Sequence, residues 1–318
     1  MTAGGLSVSF HTMPEAKTRH HREVVVTELL LIASAVIWGC NFTVNKYGTQ
    51  VLDPLVYTTI RMVSGTVAMM AFVLARGQGK TTTSEKFQLV RLGLIGHGAY
   101  QLFFIYGLSR TRAGTASLVI ASSPAFMAII MRIFHNERLA PRALIGVAMS
   151  ILGIAVVMAG SAQEAHGVSS VVGDLLILAA VVCWGFYSMW LKPFTHIDGP
   201  ELAAWTLVGG TVPIVLIGAQ SVMQANFHAI VPLTWGALAY SGLLSLGVAY
   251  LFWYRGVRVI GPTRTAMFTN LQPIVAVLVS WPLLGEQPTL WQGVGALGVM
   301  AGLWLTRQIS TAEPAHGE

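Results

Sequence analysis

Long apolar runs broken by brief polar punctuation fill the chain from residue 27 to residue 306. A helix needs ~20 residues to cross ~30 Å of hydrocarbon. Ten runs of that order can be marked: 27–46, 54–75, 88–109, 113–134, 141–160, 172–192, 200–221, 232–254, 262–283 and 288–306. Proline opens many of them (Pro54, Pro141, Pro200, Pro232, Pro262, Pro288), at a position where its missing N–H leaves no bond unmade. The connections are too short for a soluble domain. The pattern predicts an all-α integral membrane protein of ten transmembrane helices, multi-pass in the plasma (inner) membrane. Residues 1–23 are polar and lack the apolar core of a cleaved signal peptide. They read as a disordered cytoplasmic tail, and residues 307–318 as a second one.

Composition agrees. A chain of 318 residues would ordinarily suggest two soluble domains. Here 54% of residues are hydrophobic and 10% charged, against ~25% charged in soluble proteins, so lipid is the solvent. The net charge of +6 does not point to nucleic acid, because the basic residues are dispersed between apolar runs. Their distribution instead sets an orientation. With the N-terminus inside, fifteen of nineteen basic residues fall on the cytoplasmic side. Lys46, Arg110 and Arg112 fall outside, and Arg61 lies within the second run. Both termini are therefore expected in the cytoplasm. Cys40 and Cys183 sit inside apolar runs, which excludes a disulfide framework and a Cys-rich metal site; neither a metal nor a cofactor is expected.

The chain also resembles itself. Glu28-Leu-Leu matches Asp174-Leu-Leu, and Trp38-Gly matches Trp184-Gly, at an offset of 146. Tyr106-Gly-Leu matches Arg255-Gly-Val, and Pro124, Glu137, Gly146 and Gly153 match Pro273, Glu286, Gly295 and Gly302, at an offset of 149. The repeats run over 24–160 and 161–306, five spans each. An odd number forces the second copy to enter the membrane the other way up. Inverted pairs of this kind are a secondary-transporter architecture with the site near the midplane.

Trp38-Gly-Cys-Asn-Phe42, the run from Tyr106-Gly-Leu through Ala113-Gly-Thr-Ala-Ser and Ser123-Pro124 to Glu137-Arg138, and its second copy carry a family likeness. That second copy comprises Gly261-Pro-Thr-Arg-Thr-Ala266, Asn270-Leu-Gln-Pro273 and Leu284-Gly-Glu286. In order and spacing these motifs resemble the drug/metabolite transporter superfamily, EamA branch, over roughly residues 27–306. The resemblance implies ten helices in two repeats, a central cavity and movement of small polar metabolites, often outward. Cys40 stands where a small hydroxyl residue is expected.

Polar groups inside spans are costly and usually face the bundle interior. Arg61 is the one basic residue so placed. It reads either as a cation for a substrate carboxylate or as a structural arginine, snorkelling to the interface or bonding exposed carbonyls. Trp38, Asn41 and Asn45 share a helical face, suited to a polar substrate with an apolar body or to interhelical bonding. Trp184, Tyr187 and Ser188 form the matching stripe. His97, with Gln101 one turn on, is the one histidine in a span; it reads as a proton-coupling imidazole or a neutral hydrogen-bond partner. Tyr250, Trp253 and Tyr254 are candidates for lining or packing. Pro124 and Pro273 interrupt spans 4 and 9 at matching places, flanked by Ser122, Ser123, Asn270 and Gln272, which can satisfy the loosened backbone. They are read as gating bends, with static kinks as the alternative. Substrate contacts are therefore expected at Trp38, Asn41, Arg61, His97, Gln101, Ser123, Trp184, Tyr187, Asn270 and Gln272.

None of the thirteen acidic residues falls at the centre of a span. Glu28 and Asp174 are placed in first turns, where a carboxylate complements the helix dipole, and Glu137 and Glu286 as loop anchors. A carrier driven by protons or sodium usually relies on a buried acid, so a facilitator or exchanger is favoured, with His97 or a boundary acid as the alternative couplers. Gly298 and Gly302, matched by Gly146 and Ser150, read as a scaffold contact or a homodimer face. The function expected is export, by alternating access, of small polar or amphipathic metabolites such as amino acids or their derivatives. A sugar-phosphate or nucleotide-sugar exchanger is the alternative. A membrane-embedded enzyme is disfavoured because no HExxH or intramembrane catalytic cluster occurs.

Overall fold

A computed structural model describes residues 13–77, 79, 81–136, 139–163, 167–227 and 230–307. Among the described residues the helices group into successive rods. They are α1 (Met13–Val51), α2 (Pro54–Ala75), α3 (residues 83–110), α4 (residues 113–135), α5 (Pro141–Ala162), α6 (Gly167–Leu191), α7 (Gly199–Gln224), α8 (Pro232–Ile260), α9 (residues 262–284) and α10 (Leu290–Arg307). Among the described residues eight helices are long and apolar enough to cross a membrane, and Leu290–Thr306 is a shorter apolar one. The rod outside both groups is α3, whose apolar stretch is diluted in its middle by His97 and Gln101. The molecule is a multi-pass integral membrane protein.

Local chemistry sets the rod ends. Asp53 caps α2, its Oδ1 accepting the N–H of Leu55 at 2.9 Å and of Val56 at 3.3 Å, with Pro54 in the first turn. Thr82 and Glu85 form a reciprocal capping box at the start of α3. Gly285, at φ +70°, ends α9 in the left-handed region that glycine enters freely. Helix α1 begins at Met13, so residues 13–23, expected in the tail, continue the first rod. Arg307, expected in the second tail, ends α10; residues 1–12 and 308–318, with Glu137 and Arg138, lie outside the described residues.

The main helix pairings follow a rule. Helix α1 packs on α8 and α9, and α6 packs on α3 and α4; α2 lies against α8, and α7 against α3. The remaining major pairs, α2–α7, α4–α9 and α5–α10, join helices of equal rank in the two halves. Exchanging helix n with helix n+5 thus maps these pairings onto themselves. Irregular segments obey the same exchange. A π-helical stretch interrupts α3 at Leu94–Ala99 and α8 at Tyr240–Val248. Helix α4 is broken at Ser122, between Ala113–Ala121 and Ser123–His135, and α9 contains a 3-10 turn at Phe268–Asn270.

Glycines bring α5 and α10 together. A Cβ on Gly153 would lie 2.7 Å from the Gly295 carbonyl, and one on Gly298 would lie 3.0 Å from the Gly153 Cα. The Gly298–Gly302 face, for which a second copy of the chain was the alternative occupant, is filled by α5 of the same molecule. Two acid placements also change. Both Glu28 and Asp174 lie beyond the first turn, because α1 and α6 start earlier than the apolar runs indicate. Glu28 accepts a hydrogen bond from Arg264 at 2.5 Å, and Asp174 is fully buried and accepts the Thr111 hydroxyl at 2.5 Å.

Candidate functional site

Helices α1, α2, α3 and α8 converge on Arg61, which is 1% exposed. Its Nη1 donates to Asn45 Oδ1 at 3.3 Å and to Ser241 Oγ at 2.7 Å, and its Nη2 donates to Gln101 Oε1. Ser241 Oγ in turn donates to Asn45 Oδ1 at 2.6 Å. The guanidinium carbon stands 6.0 Å from the centre of the Phe104 ring. All three hydrogen-bond partners are neutral, and among the described residues no carboxylate pairs with Arg61. A guanidinium has five N–H donors; three are engaged here, and Nε has no partner. Burying a charge without a counter-charge is expensive. The snorkelling alternative is removed, because the side chain is enclosed by protein.

Aromatic rings extend from this centre. Phe104 stacks on Tyr100 with centroids 5.9 Å apart, and Tyr100 meets Trp184 at 5.5 Å. Trp184 meets Tyr187 at 5.1 Å. His97, 1% exposed, lies edge-on to Tyr187 at 5.5 Å and to Tyr250 at 6.1 Å, and Tyr250 reaches Trp38 at 5.5 Å. The repeat mates Trp38 and Trp184 are thus used alike: each leaves the first helix of its half to contact rings on the third helix of the other. The Trp38 Nε1–H donates to the Ser245 carbonyl at 3.0 Å, inside the π stretch of α8. In a π turn the i→i−4 ladder is interrupted, which leaves carbonyls available to side chains.

Six of the expected contact residues, Trp38, Arg61, His97, Gln101, Trp184 and Tyr187, therefore belong to one connected cluster. Asn41 lies one turn from Trp38, and its buried Oδ1 lacks a hydrogen-bond partner among the described residues, as do His97 Nδ1 and Asn45 Nδ2. Ser123 has a different use in this state. Pro124 cannot donate to the Ile120 carbonyl four residues back, and the Ser123 hydroxyl takes that acceptor at 2.5 Å. Pro124 thus coincides with the break in α4, and Pro273 follows the 3-10 turn of α9. Asn270 ends that turn, partly buried. Gln272 brings its backbone to α1 beside Trp38: a Cβ on Gly39 would lie 3.0 Å from the Gln272 carbonyl.

Ser241, Asn45, Tyr100 and Phe104 complete the centre without having been expected in it. Asn45 belongs to the Trp38 stripe but is not among the expected substrate contacts. Ser241 gave no local signal, since a single serine in an apolar run is ordinary; the matching π stretches bring it to Arg61. Among the described residues no group of three or more His, Cys, Asp or Glu could hold a metal ion.

Comparison with known proteins bears on this arrangement. The model of the EamA-like transporter family matches the chain twice, over residues 26–159 and 171–308. A probable amino-acid metabolite efflux pump of Salmonella typhimurium is 29% identical over 286 residues, covering 87% of this chain and 93% of its own. A probable terminal-alkyne amino-acid exporter of Streptantibioticus cattleyicolor is 28% identical over 283 residues, 87% of this chain and 92% of its own. The uncharacterized transporter YyaM of Bacillus subtilis is 25% identical over 280 residues, 86% and 91% of the two chains. One solved crystal structure shares the fold, with a TM-score of 0.60 at 18% identity over 91% of this chain and 99% of that one.

Proposed function

The chain belongs to the EamA-like transporter family, and from that premise we propose that it exports small carboxylate-bearing metabolites, amino acids or their derivatives, by alternating access. In this reading all ten rods cross the bilayer, the two halves are inverted copies, and both termini face the cytoplasm. The observation that carries the substrate class is Arg61: a buried cation cradled by neutral side chains, with N–H donors left over. A carboxylate satisfies those donors and supplies the missing charge. The unpartnered Asn41 Oδ1, and His97 Nδ1 in the tautomer that carries the proton on Nε2, suit an ammonium group, and the rings of Trp38, Tyr100, Trp184, Tyr187 and Tyr250 suit the apolar remainder. A phosphorylated substrate would call for more cationic charge than this single arginine. Two relatives named for amino-acid or amino-acid-metabolite export point the same way.

The polar centre is buried, with Arg61 and His97 each 1% exposed and Gln101 4%. One end is fastened by Glu28 to Arg264 and by Arg255 to Thr27 at 3.2 Å and Glu23 at 3.8 Å. The other end is fastened by Lys46 to the carbonyls of Leu108 and Ser109, each at 3.0 Å, and by Glu286, which accepts the Ala113 N–H at 2.9 Å. Burial raises the Glu286 carboxyl above its ordinary value, against the lowering pull of Lys46, Arg112 and the α4 N–H groups.

Counterflow in proteoliposomes tests the reading. Amino acids should show saturable uptake accelerated by unlabelled solute on the far side. Arg61→Gln should raise half-saturation for a carboxylate substrate by about 10- to 100-fold, the worth of a hydrogen bond to a charged group, and should leave the weak flux of its amide analogue unchanged. Equal half-saturation in the variant and the native chain would refute the role given to Arg61.

A further inference from the structure

Away from the polar centre, a cavity of about 290 Å³ opens on the outside of the bundle between α3 and α6, lined by Leu102, Phe103, Tyr106, Arg110, Val172 and Leu176. Its origin is a glycine crossing. A Cβ on Gly107 would lie 2.8 Å from the Gly173 carbonyl, and one on Gly173 the same distance from the Gly107 carbonyl. The two backbones touch there, and the larger side chains beside the crossing diverge and leave a groove facing lipid.

The groove has a charged end. Arg110 is exposed, donates to the carbonyl of Tyr106 at 2.8 Å in its own helix, and lies 5.6 Å from the Tyr106 ring. Among the described residues it pairs with no carboxylate. The symmetry-related seam between α1 and α8 differs: there Arg255 faces Glu23, and the neighbouring Arg264 pairs with Glu28. From Arg110 back to Leu102 is eight residues, a rise of ~12 Å, close to the ~15 Å hydrocarbon depth of one leaflet. A cation at the head of an apolar trough of leaflet depth has the shape and charge of a phospholipid seat. A free phosphate would leave the apolar trough unused.

We infer that the α3–α6 groove binds an anionic glycerophospholipid, its phosphate on Arg110 and one acyl chain along Phe103, Tyr106, Val172 and Leu176. The position gives the lipid a lever on transport. It braces α3, which carries His97 and Gln101, against α6, which carries Trp184 and Tyr187.

Native mass spectrometry of the delipidated full chain, titrated with phosphatidylglycerol or phosphatidylcholine of identical acyl chains, tests the site. The first bound phosphatidylglycerol should be held about fivefold more tightly, the ratio expected of one basic residue at an anionic surface. Arg110→Gln should abolish the preference, and Arg132→Gln, an exposed arginine on α4 outside the groove, should keep it. Val172→Trp fills the trough and should weaken the first binding of both lipids. If Arg110→Gln fails to fold, as judged by its melting temperature, the decision passes to Val172→Trp. Equal retention of the two lipids by the native chain, an unchanged preference in Arg110→Gln, or undiminished binding in Val172→Trp would each overturn the assignment.

Discussion

Arg61 shows what one residue type in the wrong solvent can reveal. A lone arginine deep in an apolar run costs too much to be incidental, and this was legible without coordinates, as were His97, Gln101 and the two tryptophans. Its cradle was not. Asn45 and Ser241 are separated by 196 positions and meet because α1 and α8 pack together, a relation that hydropathy does not encode. Asn45 Oδ1 accepts from both Arg61 and Ser241, so Asn45→Ala removes a shared acceptor and leaves a buried cation short of partners. Thermal unfolding in detergent should show a loss of about 1–3 kcal/mol; an unchanged midpoint would contradict the cradle.

At the scale of elements, the glycines of α5 and α10 and the cap of α3 make separate claims. Gly153→Leu forces a side chain against the Gly295 carbonyl and the Val299 N–H, each 2.7 Å from where its Cβ would be. It should cost about 1–3 kcal/mol, as overpacking does. Gly293→Ala, with open space around its Cβ, should be neutral in the same measurement. The capping box predicts a titration. The N–H of Thr82, then its hydroxyl, then His196 lower the Glu85 carboxyl to about 2. A depressed carboxyl adds stability above its unfolded value of 4.5 and loses it as pH falls through about 2. A carboxyl carbon-13 titration of Glu85 should therefore have its midpoint near 2. In Thr82→Ala the midpoint should rise but stay below 4.5, since the backbone N–H remains. The approximate positions of the long apolar helices were readable from run length and proline punctuation. The π stretches and the early starts of α1 and α6 were not, because hydropathy reports where lipid solvates a helix and is silent on where its hydrogen-bond ladder begins or shifts.

The whole molecule is organised by the exchange of helix n with helix n+5, which relates the principal packing, the two π stretches, the breaks of α4 and α9, and the two tryptophans. The 146- and 149-residue offsets in the sequence anticipate this relation. They do not disclose that its centre is unequal: Arg61 lies on α2 alone, and α7 brings no second cation to it. An unequal centre between related halves suits a carrier that receives one substrate in one orientation and releases it on the other side. That account requires the two halves to enter the membrane in opposite senses. Single cysteines at Val51, ending α1, and Thr195, just beyond α6, in a chain with Cys40 and Cys183 replaced by serine, can be labelled with an impermeant maleimide in intact cells and in inverted vesicles. The account predicts that the Val51 site reacts from outside and the Thr195 site from the cytoplasmic face. Reaction of both from the same face would contradict it.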